Sequence, residues 1–228
     1  MSVILSTDKI TRTYSNGVVF VPALKETSLN IEQGEFVAVI GRSGSGKSTL
    51  LRILGTIDRP DSGKVYIDGI DIFSLKDKEL SKLRCEKIGF VYQDYNIFEE
   101  FSAYENIIMP FLIDNKEPDK DRVRNIMDSL NISHCRDKFP SQMSGGEQQR
   151  VSIARALAIE PAVIFADEPT GNLDAENAKE VAMLLGKAAR QFNQTIVMVS
   201  HDRQMTDFAD RIIQIQDGVI CDSEPTII

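Results

Sequence analysis

Cysteine is scarce in this chain of 228 residues: Cys85, Cys135 and Cys221 stand far apart, with no C-x-x-C pair and only His134 beside one of them. An odd number at wide spacing excludes a disulfide framework and fits ordinary reduced thiols in a cytosolic setting. A basic run is missing too. The 26 Lys and Arg residues face 34 Asp and Glu, a net charge of −8 with both signs spread along the chain, so nucleic acid is not an expected partner. No stretch approaches the roughly 18 apolar residues of a membrane-spanning helix. The start, Met1-Ser-Val-Ile-Leu-Ser-Thr-Asp8, has neither a basic leader nor a long apolar segment. Any membrane role is therefore expected to come through a partner. Repeats, low-complexity tracts and disordered linkers are also lacking. What remains is a 42% hydrophobic chain, enough for a substantial core in one large domain or two small ones.

The most informative segment is Gly41-Arg42-Ser43-Gly44-Ser45-Gly46-Lys47-Ser48, which follows the apolar run Glu35–Ile40 and precedes the helix-like Lys47-Ser48-Thr49-Leu50-Leu51-Arg52. It fits G-x-x-x-x-G-K-[ST], in which glycines let backbone N–H groups turn inward as a nest for phosphate oxygens. The helix adds its positive dipole end. Lys47 would supply charge and Ser48 a magnesium ligand. A Gly-rich turn without a ligand would account for the glycines but not for Lys47-Ser48.

Around this loop the pattern predicts an α/β protein. Val18–Val21, Ser28–Ile31 and a hairpin over Lys64–Ile72, turning at Asp68-Gly69, suggest a small antiparallel layer. Ile88–Tyr92, Ala162–Ala166 and Thr195–Val199 read as buried parallel strands. From Gln93 to Pro161 the strand signal fades into charged, helix-period sequence such as Lys120–Leu130, which predicts a helical insert. A second hairpin at Asp217-Gly218 closes the chain.

Ligands of open α/β sheets gather at the carboxyl ends of parallel strands. The residues there are Gly41 onward, Gln93, Asp167-Glu168 and Ser200-His201. Asp167 has the position of a carboxylate that reaches magnesium through a water or from just outside its direct ligands, leaving Glu168 to orient a water and take its proton. Gln93 could ligand the magnesium and touch the same water, and His201 could donate to a γ-phosphate. Each also has a plain structural use, as a helix cap or a packed residue, so it is their order behind a phosphate loop that argues for function. A second anion site stands at Ser144-Gly145-Gly146-Glu147, a turn opening the helix-period run Val151–Ala158. Ser144 would also serve as a simple N-cap.

In this order the motifs resemble the ATP-binding cassette ATPases over essentially the whole chain. Gly41–Ser48 looks like Walker A, Val163–Asp167 like Walker B, Glu168 like the catalytic glutamate and Gln93 like the Q-loop. Ser144–Glu147 looks like the signature, Asn172-Leu173-Asp174 like the D-loop and His201 like the switch histidine. The resemblance implies a P-loop NTPase (RecA-like) core with an antiparallel β subdomain, residues 1–93 and 161–228, and an inserted α-helical subdomain, residues 94–160. It also implies ATP and Mg2+ as cofactors and a head-to-tail homodimer in which Ser144, Gly145, Gly146, Glu147 and Asp174 reach the partner's ATP. Tyr14 resembles the aromatic that stacks on adenine, although a tyrosine packing at a strand end is the alternative. Met143 and Glu147 depart from the usual Leu and Gln of the signature, and Glu147 adds a negative charge near a phosphate-facing turn.

Residues Ile53–Gly63 and Pro169–Asp174 look like the lipoprotein-release, macrolide-export and antimicrobial-peptide-resistance branch. Such subunits sit on the inner face of the membrane by binding an integral-membrane permease. The aromatics of Gln93–Phe98 and Phe101 serve equally as part of a groove for that permease or as core of the insert. Two other readings compete: a soluble cassette acting on nucleic acid or ribosomes, against which the acidic balance counts, and a P-loop kinase, which leaves Ser144-Gly145-Gly146 unexplained.

Overall fold

The computed structural model describes residues 2–201 and 203–225. Two sheets divide the chain. The first is antiparallel, ordered β2-β1-β4-β5, and is built from β1 (Val3–Ser15), β2 (Phe20–Glu32), β4 (Ser62–Ile67) and β5 (Ile70–Asp71). The second, ordered β10-β9-β3-β8-β7-β6, comprises β3 (Phe36–Ile40), β6 (Ile88–Tyr92), β7 (Val163–Asp167), β8 (Ile196–Val199), β9 (Arg211–Gln216) and β10 (Val219–Pro225). All its neighbours pair in parallel except β9 with β10. Helices α1 (Lys47–Leu54), α2 (Asp77–Lys87), α3 (Ala103–Ile113), α4 (Lys120–Ser129), α5 (Gly145–Ala158) and α6 (Ala175–Gln191) complete the fold.

The central strands bury both faces, and their two-residue period distributes side chains between two cores. Val37, Val39, Val163, Phe165, Val197 and Val199 join α1 and the antiparallel sheet. Phe36, Ala38, Ile164, Ala166, Ile196 and Met198 face the other way, into a core shared with α3 to α6. Phe165 is fully buried, so its truncation to Ala should cost about 3–5 kcal/mol. α5 lies close beneath β6, where a side chain at Gly89 would meet the carbonyl oxygen of Ala156 at 3.0 Å.

The three parallel strands and both hairpins form where the sequence places them. Asp68-Gly69 and Asp217-Gly218 adopt the paired positive φ values, 52° with 75° and 49° with 79°, that a tight hairpin turn of matching twist needs. The antiparallel layer differs from expectation at its start. Val18 and Val19 belong to a turn rather than a strand, because the Asn16 side chain accepts hydrogen bonds from both of their N–H groups. Ser28–Ile31 is the end of a strand that already begins at Phe20.

Candidate nucleotide site

The phosphate loop leaves the carboxyl end of β3 and enters α1 at Gly46, whose φ of 109° is barred to side-chain-bearing residues. A Cβ there would also lie 2.4 Å from the Ala23 carbonyl oxygen. The terminal hairpin braces the loop, with Gly218 N–H donating to Ser45 O at 2.9 Å. Lys47 folds back, its Nζ donating to the carbonyls of Gly41 at 2.9 Å and Arg42 at 3.0 Å. Ser45 Oγ is buried without a hydrogen-bond partner among the described residues. A cradle of turned-in backbone, a cation held by weak local acceptors and an orphaned hydroxyl suit an incoming phosphate. A cleft of about 330 Å³ opens here, lined by Gly41–Ser45 and by Gln214–Asp217 of the final hairpin.

A second cleft, of about 300 Å³, brings together Ser48, Tyr92, Gln93, Asp94, Asn96, Asp167 and Glu168. Strand ends β6 and β7 and the start of α1 supply these groups, so parallel pairing of β3, β8, β7 and β6 is what gathers residues as distant in sequence as Ser48 and Asp167. Burial pushes the Asp167 carboxyl above the ordinary range and adjacent Glu168 adds to this, while the Ser48 hydrogen bond, Arg52 and Lys47 pull it down. Crowded carboxylates with a hydroxyl and an amide oxygen nearby form an oxygen donor set suited to a hard divalent cation. Mg2+ therefore fits Ser48, Asp167 and Gln93.

Glu168 takes φ of +45°, a conformation costing a non-glycine residue about 1–3 kcal/mol. Its N–H donates to Val199 O at 3.0 Å, and its carbonyl accepts from Gly171 N–H at 2.9 Å, closing a turn that holds the side chain in place. Oε2 lies 3.0 Å from His201 Nδ1, whose side chain is 66% exposed. Gln93 is committed differently: its amide donates to Asn172 Oδ1 at 2.9 Å, and Asn172 donates in turn to Gln93 O and Asp94 Oδ1. Asp94, a third carboxylate in the cleft, escaped the sequence reading, although its place just past β6 was the available signal.

Ser144 caps α5, accepting from Glu147 N–H while Glu147 Oε2 accepts from Ser144 N–H at 2.7 Å. Asp174 caps α6 through Asn177, whose backbone and side-chain hydrogen bonds hold its carboxyl low. These two caps are neighbours: a Cβ on Gly146 would lie 3.2 Å from Asn177 Oδ1. Neither cleft at the phosphate loop is lined by any of Ser144–Glu147. Tyr14, at the far end of β1, is 38% exposed. Its hydroxyl donates to Asp58 Oδ2 at 2.8 Å, and the Arg12 guanidinium covers its ring at 4.9 Å.

A phosphate loop on a parallel sheet, with an acidic strand end beside it, defines a P-loop nucleotide-binding α/β protein. The model of the ABC transporter family matches residues 24–171. The lipoprotein-releasing system ATP-binding protein LolD of Cytophaga hutchinsonii is 43% identical over 222 residues, spanning 96% of this chain and 100% of that protein. The macrolide export ATP-binding/permease protein MacB of Chlorobaculum tepidum is 44% identical over 215 residues, 93% of this chain but 33% of MacB. Among solved structures, the dimeric post-hydrolysis state of the ATP-binding cassette MJ0796 with ADP and Pi superposes with a TM-score of 0.86. It is 39% identical and covers 98% of this chain and 99% of its own. The cassette cbiO1 of Clostridium perfringens gives a TM-score of 0.87 at 31% identity, covering 99% of this chain and 89% of its own. The chain belongs to the ABC transporter family, as an ATP-binding and ATP-hydrolysing cassette.

Proposed function

We propose that two copies of this chain close head to tail around two ATP molecules and thereby drive an export-type or mechanotransmitting membrane permease. The carrying observation is the separation just described: a phosphate loop at one strand end, and a second anion-binding helix start at Ser144 that lines neither of the two clefts at that loop. A head-to-tail pair brings the second to the first. Ser144, Gly145, Gly146 and the region of Glu147 and Asp174 then complete the partner's site.

Within one site the geometry supports the following roles. Gly41, Arg42, Ser43, Gly44, Ser45 and Gly46 wrap the phosphates with backbone N–H groups, and Thr49 continues that contact on α1. Lys47 exchanges its two carbonyl acceptors for phosphate oxygens, a stronger charge-assisted pairing. Mg2+, held by Ser48, Asp167 and Gln93, would offset negative charge on the transferred phosphoryl group. Glu168 accepts the proton of a water whose oxygen attacks the γ-phosphorus, while the bridging oxygen departs with ADP. His201 positions Glu168 across their 3.0 Å contact and faces the γ-phosphate. Tyr14 offers adenine the ring face opposite Arg12.

The permease reading is supported by the relatives LolD and MacB, a lipoprotein-releasing system ATP-binding protein and a macrolide export ATP-binding/permease protein. It also draws on an open apolar groove of about 270 Å³ where α2, β6 and α3 meet, lined by residues including Ile88, Phe90, Phe98, Met109 and Ile113. Phe98 packs edge-on to Phe101 with centroids 5.9 Å apart, and both rings are exposed. No described helix is long and apolar enough to cross a membrane, so attachment to the inner membrane face would run through this groove. Residues 94–160 form the helical subdomain in this scheme and the rest the core and β subdomain.

The test is Glu168→Gln with light scattering in ATP and Mg2+. The expected result is retained ATP binding, lost hydrolysis and accumulated dimers, with the wild-type rate per subunit rising with protein concentration. Concentration-independent turnover by a monomer would overturn the head-to-tail mechanism.

A further inference from the structure

His134, Cys135 and Glu147 converge just outside the start of α5. Their ligand atoms all lie within 4.8 Å of one another. His134 Nε2 is 2.8 Å from Glu147 Oε1, and Cys135 Sγ is 3.2 Å from the same oxygen. The short turn Ser133–Cys135 presents the first two residues, and the first turn of α5 presents the third. None of the three is used by the nucleotide chemistry of the same chain.

We propose that this trio is a binding site for a borderline-soft divalent cation, Zn2+ being the best match. One imidazole nitrogen, one sulfur and one carboxylate oxygen are the ligand types that zinc prefers and that Mg2+ does not. Zinc bonds of about 2.0–2.3 Å in a tetrahedron set ligand–ligand edges at about 3.4–3.6 Å. The two short separations need to open by only a few tenths of an ångström. His134, with 58% of its side chain exposed, has room to turn. Solvent on its side provides an entry path and a water as fourth ligand. Without metal, a thiol proton and an imidazole fill the same space as hydrogen-bonding partners of Glu147. On binding, the Cys135 S–H bond breaks, its proton leaves to solvent, and the thiolate, the imidazole lone pair and the carboxylate form bonds to the cation; no oxidation occurs. Lys138 Nζ, 3.7 Å from Glu147 Oε1 and partly exposed, swings outward to admit the charge.

Glu147 Oε2 also receives the Ser144 N–H. A cation on Oε1 therefore ties the 133–135 turn rigidly to the helix start that the head-to-tail reading presents to the partner's ATP, making zinc a brake on hydrolysis. That regulatory step rests on the proposed function; the binding site does not.

Metal-stripped full-length protein titrated with Co2+, and then with Zn2+, tests the site without nucleotide. One Co2+ per chain is expected, with a thiolate-to-cobalt charge-transfer band and tetrahedral ligand-field absorption, both erased by Zn2+ but not by excess Mg2+. Cys135→Ser should abolish the charge-transfer band. His134→Ala, at an exposed position that does not threaten folding, should weaken binding by roughly tenfold or more, since even outer-shell groups are worth that much. A Cys85→Ser/Cys221→Ser double variant should keep the full signal. No band in the wild type, a band surviving Cys135→Ser, or unchanged affinity in His134→Ala would overturn the site. If zinc binds yet slows ATP turnover equally in wild type and His134→Ala, the brake is overturned while the site stands.

Discussion

Two glutamates of this cassette are held in opposite ways. Glu168 stands at the carboxyl end of β7 on a strained backbone, with the exposed His201 imidazole 3.0 Å from its carboxylate. Glu147 stands in the first turn of α5 among the Ser144 backbone, His134, Cys135 and Lys138. Burial by itself would raise the Glu147 carboxyl, but the hydrogen bonds from Ser144, His134 and Cys135 outweigh it and hold it down at about 2. A carboxylate gripped this way is a poor proton acceptor, whereas Glu168 lines an open cleft with His201 beside it. On the proposed mechanism one residue type serves as reagent in one case and as structural clamp in the other. The negative charge that Glu147 brings to the signature turn is thus met by local donors and by Lys138 Nζ at 3.7 Å.

The contrast breaks most visibly at Glu168. Glu168→Gln should lower ATP turnover by about 10²–10⁴-fold, the usual worth of a positioned general base, with little change in melting temperature. Turnover near the wild-type rate would remove Glu168 from that role. Next in size is Lys47→Ala, which loses charge-assisted contacts worth about 1.5–3 kcal/mol. It should weaken nucleotide binding by roughly ten- to a hundredfold, as read by titration calorimetry. Undiminished affinity would mean that Lys47 stays on the Gly41 and Arg42 carbonyls.

Glu147→Ala should act on stability instead. Losing the reciprocal cap of α5 costs about 1–2 kcal/mol and lowers the melting temperature by a few degrees, on the order of 2–8 °C for a chain of this size. A melting curve identical to wild type would show that the grip on Glu147 is idle.

The smallest effect concerns α3, where Ser102 and Glu105 form a second capping box. The Ser102 backbone and hydroxyl hold the Glu105 carboxyl below its ordinary value of 4.5. A depressed folded-state value means that this contribution is complete above the unfolded value and is lost as pH falls below about 4.5. Glu105→Gln should thus flatten the acid side of the stability curve slightly. An unchanged acid limb would assign that pH dependence to other carboxylates.

Much of this was legible in the chain itself. The parallel strands announced themselves as short runs of β-branched and aromatic residues, and Gly41–Ser48 fitted its pattern before any fold was known. β1 did not, because its pairing with β2 slips repeatedly and Lys9, at φ 46°, interrupts the two-residue alternation that a strand reading depends on. Val18 and Val19 misled for the converse reason: apolar residues in series resemble a strand, yet the preceding Asn16-Gly17 dictates a turn, and the strand begins only at Phe20. The link from Gln93 to Asn172 spans 79 positions, so no local pattern could have announced it. Cys135 read as an ordinary thiol because its carboxylate partner is 12 residues away in sequence.

The sequence by itself determined which chemical groups exist and where the backbone must turn: glycines where a cradle needs them, a lysine and serine behind it, and acids after strand-forming runs. These are properties of neighbouring residues, and short-range sterics and periodicity encode them. Only the tertiary structure decided what each group is free to do. It placed Asp167, Glu168 and Ser48 in one cleft, tied Gln93 to Asn172, and spent Glu147 on His134, Cys135 and Ser144. Burial and hydrogen-bond partners are set through space, so a carboxylate's availability depends on residues that the chain brings near it only by folding.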